Sequence, residues 1–196
     1  MLRMAPRPLR ADAARNRDKL LAAAVDVFGR QGLDAPLEHI ARKAEVSIGT
    51  LYAHFPTRQA FIDAIFPERL AVLDDIGAAA LAEPDPWQGF VRFVEGTVGL
   101  QAQDHGLNDA IARRLQPSSE AVQVCQRGMG HAVLVIQRAK DAGRLRADFE
   151  PADLATLTWA MSQVIRESID TEPDRWRRFL RFYLDGLRGT GDGGPA

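Results

Sequence analysis

The stretch LEHIARKAEVSIGTLYAHF, residues 37–55, decides the fold of the N-terminal part of this chain. Pro36 precedes it and suits the first turn of a helix, where a backbone N–H has no intrahelical partner. We therefore predict a short helix over residues 36–44. After a tight connection, the hydroxyl of Ser47 can cap another short helix, residues 48–54.

A longer amphipathic helix precedes this pair. Leu21 and Phe28 lie on one stripe at helical spacing, and Gly32 favours a stop because glycine readily adopts the left-handed conformation that ends many helices. Three helices in this order are typical of a helix-turn-helix unit, whose last helix enters the major groove of DNA. We predict that the unit spans residues 12–60, after a disordered basic arm of residues 1–11.

Apolar residues recur at helical spacing through the rest of the chain. No segment combines strict alternation with β-branched residues and hairpin turns. We therefore predict an all-α protein of about nine helices, in which residues 61–188 form a larger helical domain. Pro67 should kink or divide the long fourth helix, because proline removes a backbone hydrogen bond from a helix interior. Residues 189–196 are rich in glycine and are predicted to be a disordered tail.

Charge is distributed unevenly along the chain. Residues 1–60 carry ten Lys and Arg against six Asp and Glu, whereas residues 61–196 carry fifteen against twenty. A basic N-terminal part on an acidic body is expected of a DNA-binding module. No apolar run is long enough to span a bilayer, and the N-terminus lacks the apolar stretch of a secretory signal. We therefore expect a cytoplasmic protein, and the single Cys125, which can form no internal disulfide, agrees with that expectation.

The sequence contains no recognisable catalytic pattern. It lacks a paired-carboxylate site, a nucleophile with a base in a familiar context, and a phosphate-binding loop. The segment GMGHAV, residues 128–133, follows no predicted strand, as a dinucleotide-binding loop would require. His105 and His131 have no companion at metal-ligand spacing. We therefore predict that the protein is not an enzyme and holds no metal or cofactor.

The run from Arg17 to Phe66 resembles the DNA-binding domain of TetR-type transcriptional repressors, above all in the segment IARKAEVSIGTLYAHFPTRQAFIDAIF, residues 40–66. The resemblance implies a homodimer that binds double-stranded DNA at a palindromic operator and is released by a small-molecule effector. It also implies that residues 61–188 bind the effector and form the dimer. The positions that carry it are Ala41, Val46, Ser47, Gly49, Leu51, Tyr52, Phe55, Arg58 and Phe61.

The residues in and around the third helix suit a duplex surface. Gly49 lacks a Cβ and permits close approach to a groove, while Thr50 offers a hydroxyl and a methyl to a phosphate or a base. In the resemblance, Leu51 and Phe55 match core positions. The predicted DNA-binding residues are Arg42, Lys43, Ser47, Gly49, Thr50, Tyr52, His54 and Arg58.

Structural alternatives remain open for some of these residues. Tyr52 could be a half-buried core aromatic, and His54 could cap the end of its helix. Arg42 and Lys43 could form an ordinary solvated face. In each of these alternatives the side chain makes no contact with DNA.

The chain departs from the family pattern at two places. Glu45 stands where many members have glycine, so a left-handed turn there would cost about 1–2 kcal/mol. Ala35 and Pro36 offer no hydroxyl where many members hold a phosphate from the start of the second helix. A phosphate contact from that end is therefore not expected.

The resemblance implies a helical chamber for an effector in the body. Phe90, Met129 and Trp159 lie on different predicted helices, and large aromatic or sulfur-bearing side chains can line an adaptable cavity. Plain core packing is the alternative for each apolar residue. The predicted ligand-binding residues are Phe90, Phe93, Val94, His105, Met129, Trp159 and Gln163, with Gln101, Cys125, Met161 and Arg166 as further candidates.

The last two predicted helices carry more apolar surface than a small body needs. Two such pairs of helices from two copies could form a four-helix interface. The resemblance likewise implies a dimer face at this end of the chain. The predicted interface residues are Leu157, Met161, Ile165, Trp176, Leu180, Tyr183 and Leu187.

Overall fold

The computed structural model describes the backbone of residues 8–114 and 119–189 and the side chains of residues 11–114 and 129–189. Within those ranges the chain forms nine α-helices and no strand, which confirms the predicted all-α class. The helices are α1 (Pro8–Gln31), α2 (Leu37–Lys43), α3 (Ile48–His54), α4 (Arg58–Ala82), α5 (Pro86–Gln103), α6 (His105–Ala112), α7 (Ser119–Asp141), α8 (Pro151–Ser168) and α9 (Arg175–Gly186).

The first helix is longer than the sequence analysis predicted. α1 begins at Pro8 rather than at residue 12, because proline fits a first helical turn, where its missing N–H has no intrahelical partner. The prediction of a disordered arm is therefore wrong for residues 8–11, and residues 1–7 lie outside the described part. Gly32 ends the helix as predicted, with a φ of +76° that glycine adopts readily.

The residues just after α9 are attached to the loop between α7 and α8. Leu145 and Arg188 form an isolated antiparallel bridge, and the Gly189 N–H donates to the Arg144 carbonyl oxygen at 2.9 Å. Gly189 therefore does not belong to a disordered tail, contrary to the prediction. Residues 190–196 lie outside the described part.

The turn between α2 and α3 keeps a left-handed conformation without a glycine. Glu45 has a φ of +56°, and the Val46 N–H donates to the Ala41 carbonyl oxygen at 3.0 Å. The exposed side chain of Glu45 can adopt this conformation at a cost of about 1–2 kcal/mol. The two short helices consequently meet in the arrangement that the sequence predicted.

α4 belongs to both parts of the molecule. It runs unbroken through Pro67, so proline does not divide the helix. Near its start, the buried Phe61 stacks on Phe55 with 4.1 Å between ring centroids. The N-terminal core extends along α4 as far as Leu70. Residue 60 is therefore not a boundary in the packing, although it was the predicted end of the first domain.

α6 touches both the N-terminal unit and the body. It spans His105–Ala112. Leu107 belongs to the N-terminal core, while Asn108 Nδ2 donates to the Ser162 carbonyl oxygen of α8 at 3.1 Å. One short helix thus connects α1 to α8.

The second core lies among α5, α7, α8 and α9. Phe90 is fully buried there and meets Phe149 edge to face, with 5.5 Å between ring centroids. Trp176 and Leu180 of α9 pack into the same core. In the part of the chain that the structure describes, no helix has the length and apolar character to cross a bilayer.

Candidate functional site

α3 has one buried side and one open side. Leu51 is fully buried, whereas Tyr52 keeps 47% of its surface exposed. Tyr52 is therefore not a core aromatic. A Cβ added at Gly49 would meet only the Ser47 hydroxyl oxygen, at 3.8 Å, so nothing inside the protein requires a glycine at this position. The open side of α3 is free to enter a groove.

Ser47 caps α3 as the sequence predicted. Its Oγ accepts a hydrogen bond from the Thr50 N–H at 3.1 Å and lies 2.9 Å from Thr50 Oγ1. The two hydroxyls share one hydrogen bond, so the one that accepts in it keeps its proton for a phosphate, and the one that donates in it can offer only acceptor lone pairs to a base edge. Phe55, rather than His54, occupies the C-cap position of the helix.

The two basic residues at the end of α2 differ in their surroundings. Lys43 Nζ lies 2.7 Å from Asp26 Oδ2, and this hydrogen bond is the main reason that the pKa of Asp26 is lowered. Part of the Lys43 charge is therefore neutralised within the protein. Arg42 is exposed and makes no ion pair with a described residue. Arg42 is thus the better placed of the two to attract a phosphate.

Arg58 has partners inside the protein that the sequence analysis did not foresee. Its Nη1 donates to the carbonyl oxygens of Leu33 and Ala35, the latter at 2.7 Å. Its guanidinium also lies 5.6 Å from the ring centroid of Phe28. The side chain thus clamps the loop between α1 and α2 onto the start of α4. A phosphate contact from Arg58 stays a prediction, and it would have to use the remaining N–H groups.

We expect Arg58→Ala to lower the free energy of unfolding by about 1–3 kcal/mol, because two partly buried carbonyls lose their donor. Thermal unfolding of the DNA-free protein measures this effect, and Arg42→Ala, which removes an exposed arginine nearby, is the control. A variant that melts like the parent protein but shows a flatter salt dependence of DNA binding would instead make Arg58 a phosphate contact.

A cavity of about 270 Å³ lies between the N-terminal unit and the body. It reaches α4, α5, α6, α7 and α8, and its walls are predominantly apolar. Small-molecule sites in proteins have this character, with a few polar groups among apolar side chains. The lining residues are Leu70, Leu73, Phe93, Thr97, Leu100, Gln101, Leu107, Ile111, Met129, Ala132, Leu154, Ala155 and Thr158.

The predicted ligand-binding residues separate into three groups. Phe93, Met129 and the further candidate Gln101 line the cavity. Phe90, Val94 and Met161 are fully buried in the second core and do not line it. The remaining candidates, His105, Trp159, Gln163 and Arg166, do not line it either, and the side chain of Cys125 lies outside the described part.

Trp159 and Gln163 have a structural role at the end of α6. Trp159 Nε1 and Gln163 Nε2 donate to the Ala112 carbonyl oxygen, at 3.3 and 3.2 Å. This carbonyl belongs to the last turn of α6, where helical carbonyls lack intrahelical partners. The two side chains therefore fasten the end of α6 to α8 beside the cavity.

Most of the predicted dimer residues do not agree with the structure, and the seventh, Tyr183, is half-buried against the second core. Six of the seven lie in the second core of the same protomer, where none exposes more than 6% of its surface. Such residues have almost no surface left for a second copy. The exposed apolar residues of α9 are instead Phe179 and Phe182, on another side of the same helix. The buried residues are Leu157, Met161, Ile165, Trp176, Leu180 and Leu187.

Charged residues in α6 and at its C-cap hold the loop between α1 and α2. Asp109 Oδ2 accepts from the Leu33 N–H at 2.8 Å, and Arg113 Nη1 donates to Asp34 Oδ1 at 2.9 Å. The hydrogen bond from Arg113 is the main cause of a lowered pKa at Asp34. The sequence pattern does not reveal these contacts, because the partners lie far apart in the chain.

A second attachment joins α4 to the start of α6. Arg69 forms an ion pair with Asp104, which also caps α6 by accepting from the Leu107 N–H at 3.0 Å. The other Nη of Arg69 lies 3.4 Å from the Val25 carbonyl oxygen of α1. Leu107 belongs to both the N-terminal core and the cavity wall. The cavity and the DNA-binding unit are therefore in direct contact through α6.

Two family models match the chain. Residues 20–65 match the model of the tetR family of bacterial regulatory proteins, and residues 85–189 match the C-terminal domain of SbtR-like transcriptional regulators. Together the matches cover the DNA-binding unit and most of the body.

Individual relatives agree with these matches. The TetR transcriptional regulator SCO0520 from Streptomyces coelicolor is 33% identical and superimposes with a TM-score of 0.58, over 89% of this chain and 99% of its own. The HTH-type transcriptional regulator UidR of Escherichia coli is 26% identical, over 84% of this chain and 86% of its own. FadR from Bacillus subtilis, solved with stearoyl-CoA, is 14% identical with a TM-score of 0.61, over 89% and 98%, and shares the fold alone. This chain therefore belongs to the TetR family of DNA-binding transcriptional regulators, which are not enzymes.

Proposed function

We propose that this regulator is a repressor that a small molecule releases from a palindromic operator. One observation carries the DNA-binding part, namely that α3 turns Gly49 and Tyr52 outward while Leu51 anchors it in the core. A recognition helix needs this combination of a fixed buried side and an open side. Such a protein acts in the cytoplasm, where the DNA is.

The cavity supports the effector-responsive part of the proposal. A guest that contacts Leu107 and Ile111 touches the same helix that holds the α1–α2 loop through Asp109. A guest can change DNA binding only if it binds two states of the protein with unequal affinity. A shift of α6 would provide those two states, because it would move the loop that precedes α2.

The exposed phenylalanines of α9 support a homodimer. Phe179 and Phe182 are three residues apart, so they share one side of the helix, and 48% and 61% of their surfaces are exposed. We propose that this side of α9 packs against a second copy, in place of the interface residues predicted from the sequence. Two-fold symmetry would then place the half-sites roughly 34–36 Å apart, or at a multiple of that spacing.

A gel-shift experiment with the DNA upstream of the protein's own gene tests the proposal, and Thr50→Ala sharpens it. We expect this change to alter the preference among operator variants by about 1–3 kcal/mol, because Thr50 is proposed to face a base edge. Thr156→Ala on α8, which removes an exposed threonine far along the chain, should leave the affinities unchanged.

Two outcomes would redirect the proposal. Equal losses on every sequence would assign Thr50 to the DNA backbone rather than to a base. An absence of any specific shift, with the protein folded, would instead favour a helical interaction module that uses its helix-turn-helix only as a scaffold.

A further inference from the structure

Gln101 is the most unusual residue of the cavity wall. It lies on α5 with 1% of its surface exposed, and neither its Nε2 nor its Oε1 has a hydrogen-bond partner among the described residues. A buried amide without partners destabilises the protein that contains it. Gln101 also lines the cavity, where a bound molecule would be able to supply both missing partners.

The other polar side chains of the wall differ from Gln101. Thr97 Oγ1 donates to the Phe93 carbonyl oxygen, and Thr158 Oγ1 donates to the Leu154 carbonyl oxygen, both at 2.8 Å. These hydroxyls have used their only proton and can offer a guest acceptor lone pairs alone. Gln101 is therefore the described wall residue that can both donate to a guest and accept from it.

No charged side chain is found among the described residues that line the cavity. An ion placed among these walls would lose its hydration without gaining a counter-charge, which is strongly unfavourable. The cavity therefore favours a neutral guest. A ligand as large and as highly charged as the stearoyl-CoA of FadR does not suit it.

The size of the cavity limits the guest further. A cavity of roughly 150 Å³ holds one benzene ring. The volume of about 270 Å³ found here leaves room for a ring and short substituents.

We infer that the effector is a neutral, mainly apolar molecule whose carboxamide or lactam group pairs with the amide of Gln101. Such a group carries an N–H donor beside a carbonyl acceptor, so it can form two parallel hydrogen bonds with a glutamine side chain. The apolar part would lie against Phe93, Leu107 and Met129. This inference rests on the proposed effector function and gives the chemical class of the effector.

Three probes of one shape test the inference on the purified full-length protein. Para-ethylbenzamide offers a donor and an acceptor, para-ethylacetophenone offers only the acceptor, and para-ethylbenzoate is charged. Isothermal titration should give the amide a dissociation constant at least roughly tenfold below that of the ketone, because the ketone leaves a buried glutamine group unpaired. The benzoate should bind most weakly.

Gln101→Leu tests the assignment of the site. The variant should bind the amide and the ketone equally, because leucine can pair with neither. It should also raise the melting temperature of the ligand-free protein by roughly 2–4 °C, since two unsatisfied groups disappear. Gln103→Leu is the matched control, because Gln103 is exposed at the end of the same helix, and it should change neither property.

Several results would overturn the inference. These are equal binding of amide and ketone to the parent protein, tighter binding of the benzoate, a preference for the amide that survives in Gln101→Leu, or no binding of any probe at millimolar concentration. None of them touches the proposed repressor function, because the operator gel shift is made without any ligand. Loss of that shift with intact probe binding would instead contradict DNA recognition alone.

Discussion

Replacing Arg69 with leucine is expected to lower the free energy of unfolding by about 3–5 kcal/mol, since the change leaves Asp104 buried without its counter-charge. The two side chains of this pair are only 21% and 8% exposed. Arg69 also reaches the Val25 carbonyl oxygen, so its loss weakens the attachment of α1 to α4. Denaturant unfolding measures the change.

Two further variants separate the charge from the packing. Arg92→Leu breaks the exposed pair with Glu83 and should cost no more than about 1 kcal/mol. Adding Asp104→Asn to Arg69→Leu should recover part of the loss, because asparagine can still cap α6 at the Leu107 N–H while carrying no charge. If the double variant is no more stable than Arg69→Leu, the unpaired carboxylate is not the cause.

The double substitution Phe179→Asp with Phe182→Asp is expected to convert the proposed dimer to a monomer and to weaken operator binding by roughly 10²- to 10⁴-fold. An aspartate buried in an interface without a partner is strongly unfavourable. A dimer also binds its second half-site as an intramolecular step, and that gain disappears in a monomer. Light scattering and gel shifts on the full operator measure both effects.

Binding to DNA that contains a single half-site distinguishes loss of the dimer from loss of the fold. The monomeric variant should bind a half-site as well as the parent chain does, because α3 packs in the N-terminal core and α9 in the second core. Val72→Asp, which places the same charge on an exposed apolar position of α4, should leave the dimer intact. A monomeric Val72→Asp, or a dimeric double variant, would contradict an interface at α9.

Short-range features of the DNA-binding unit were determined by the sequence. The cap by Ser47, the stop at Gly32 and the alternation of buried Leu51 with exposed Tyr52 depend on residues within one or two helical turns. Local hydrogen bonds and helical periodicity can be predicted from the order of residues in the sequence. The same is true of the all-α class, and the family resemblance fell within this unit.

The sequence could not determine in the same way which surface an apolar helix face packs against. The pattern of α9 correctly predicts an apolar face containing Trp176 and Leu180, but it does not say whether that face meets its own body or a second copy. Only the packing of α9 against α8 decides this, and it leaves Phe179 and Phe182 outside.

Long-range polar contacts were likewise decided by the tertiary structure alone. Arg58 suits a phosphate by type, yet the fold brings it to the Leu33 and Ala35 carbonyl oxygens. Gln101 was one polar candidate among several, and only the folded cavity leaves both ends of its amide without partners. Such contacts join residues that are distant in the chain, so their energies depend on geometry that no local pattern contains.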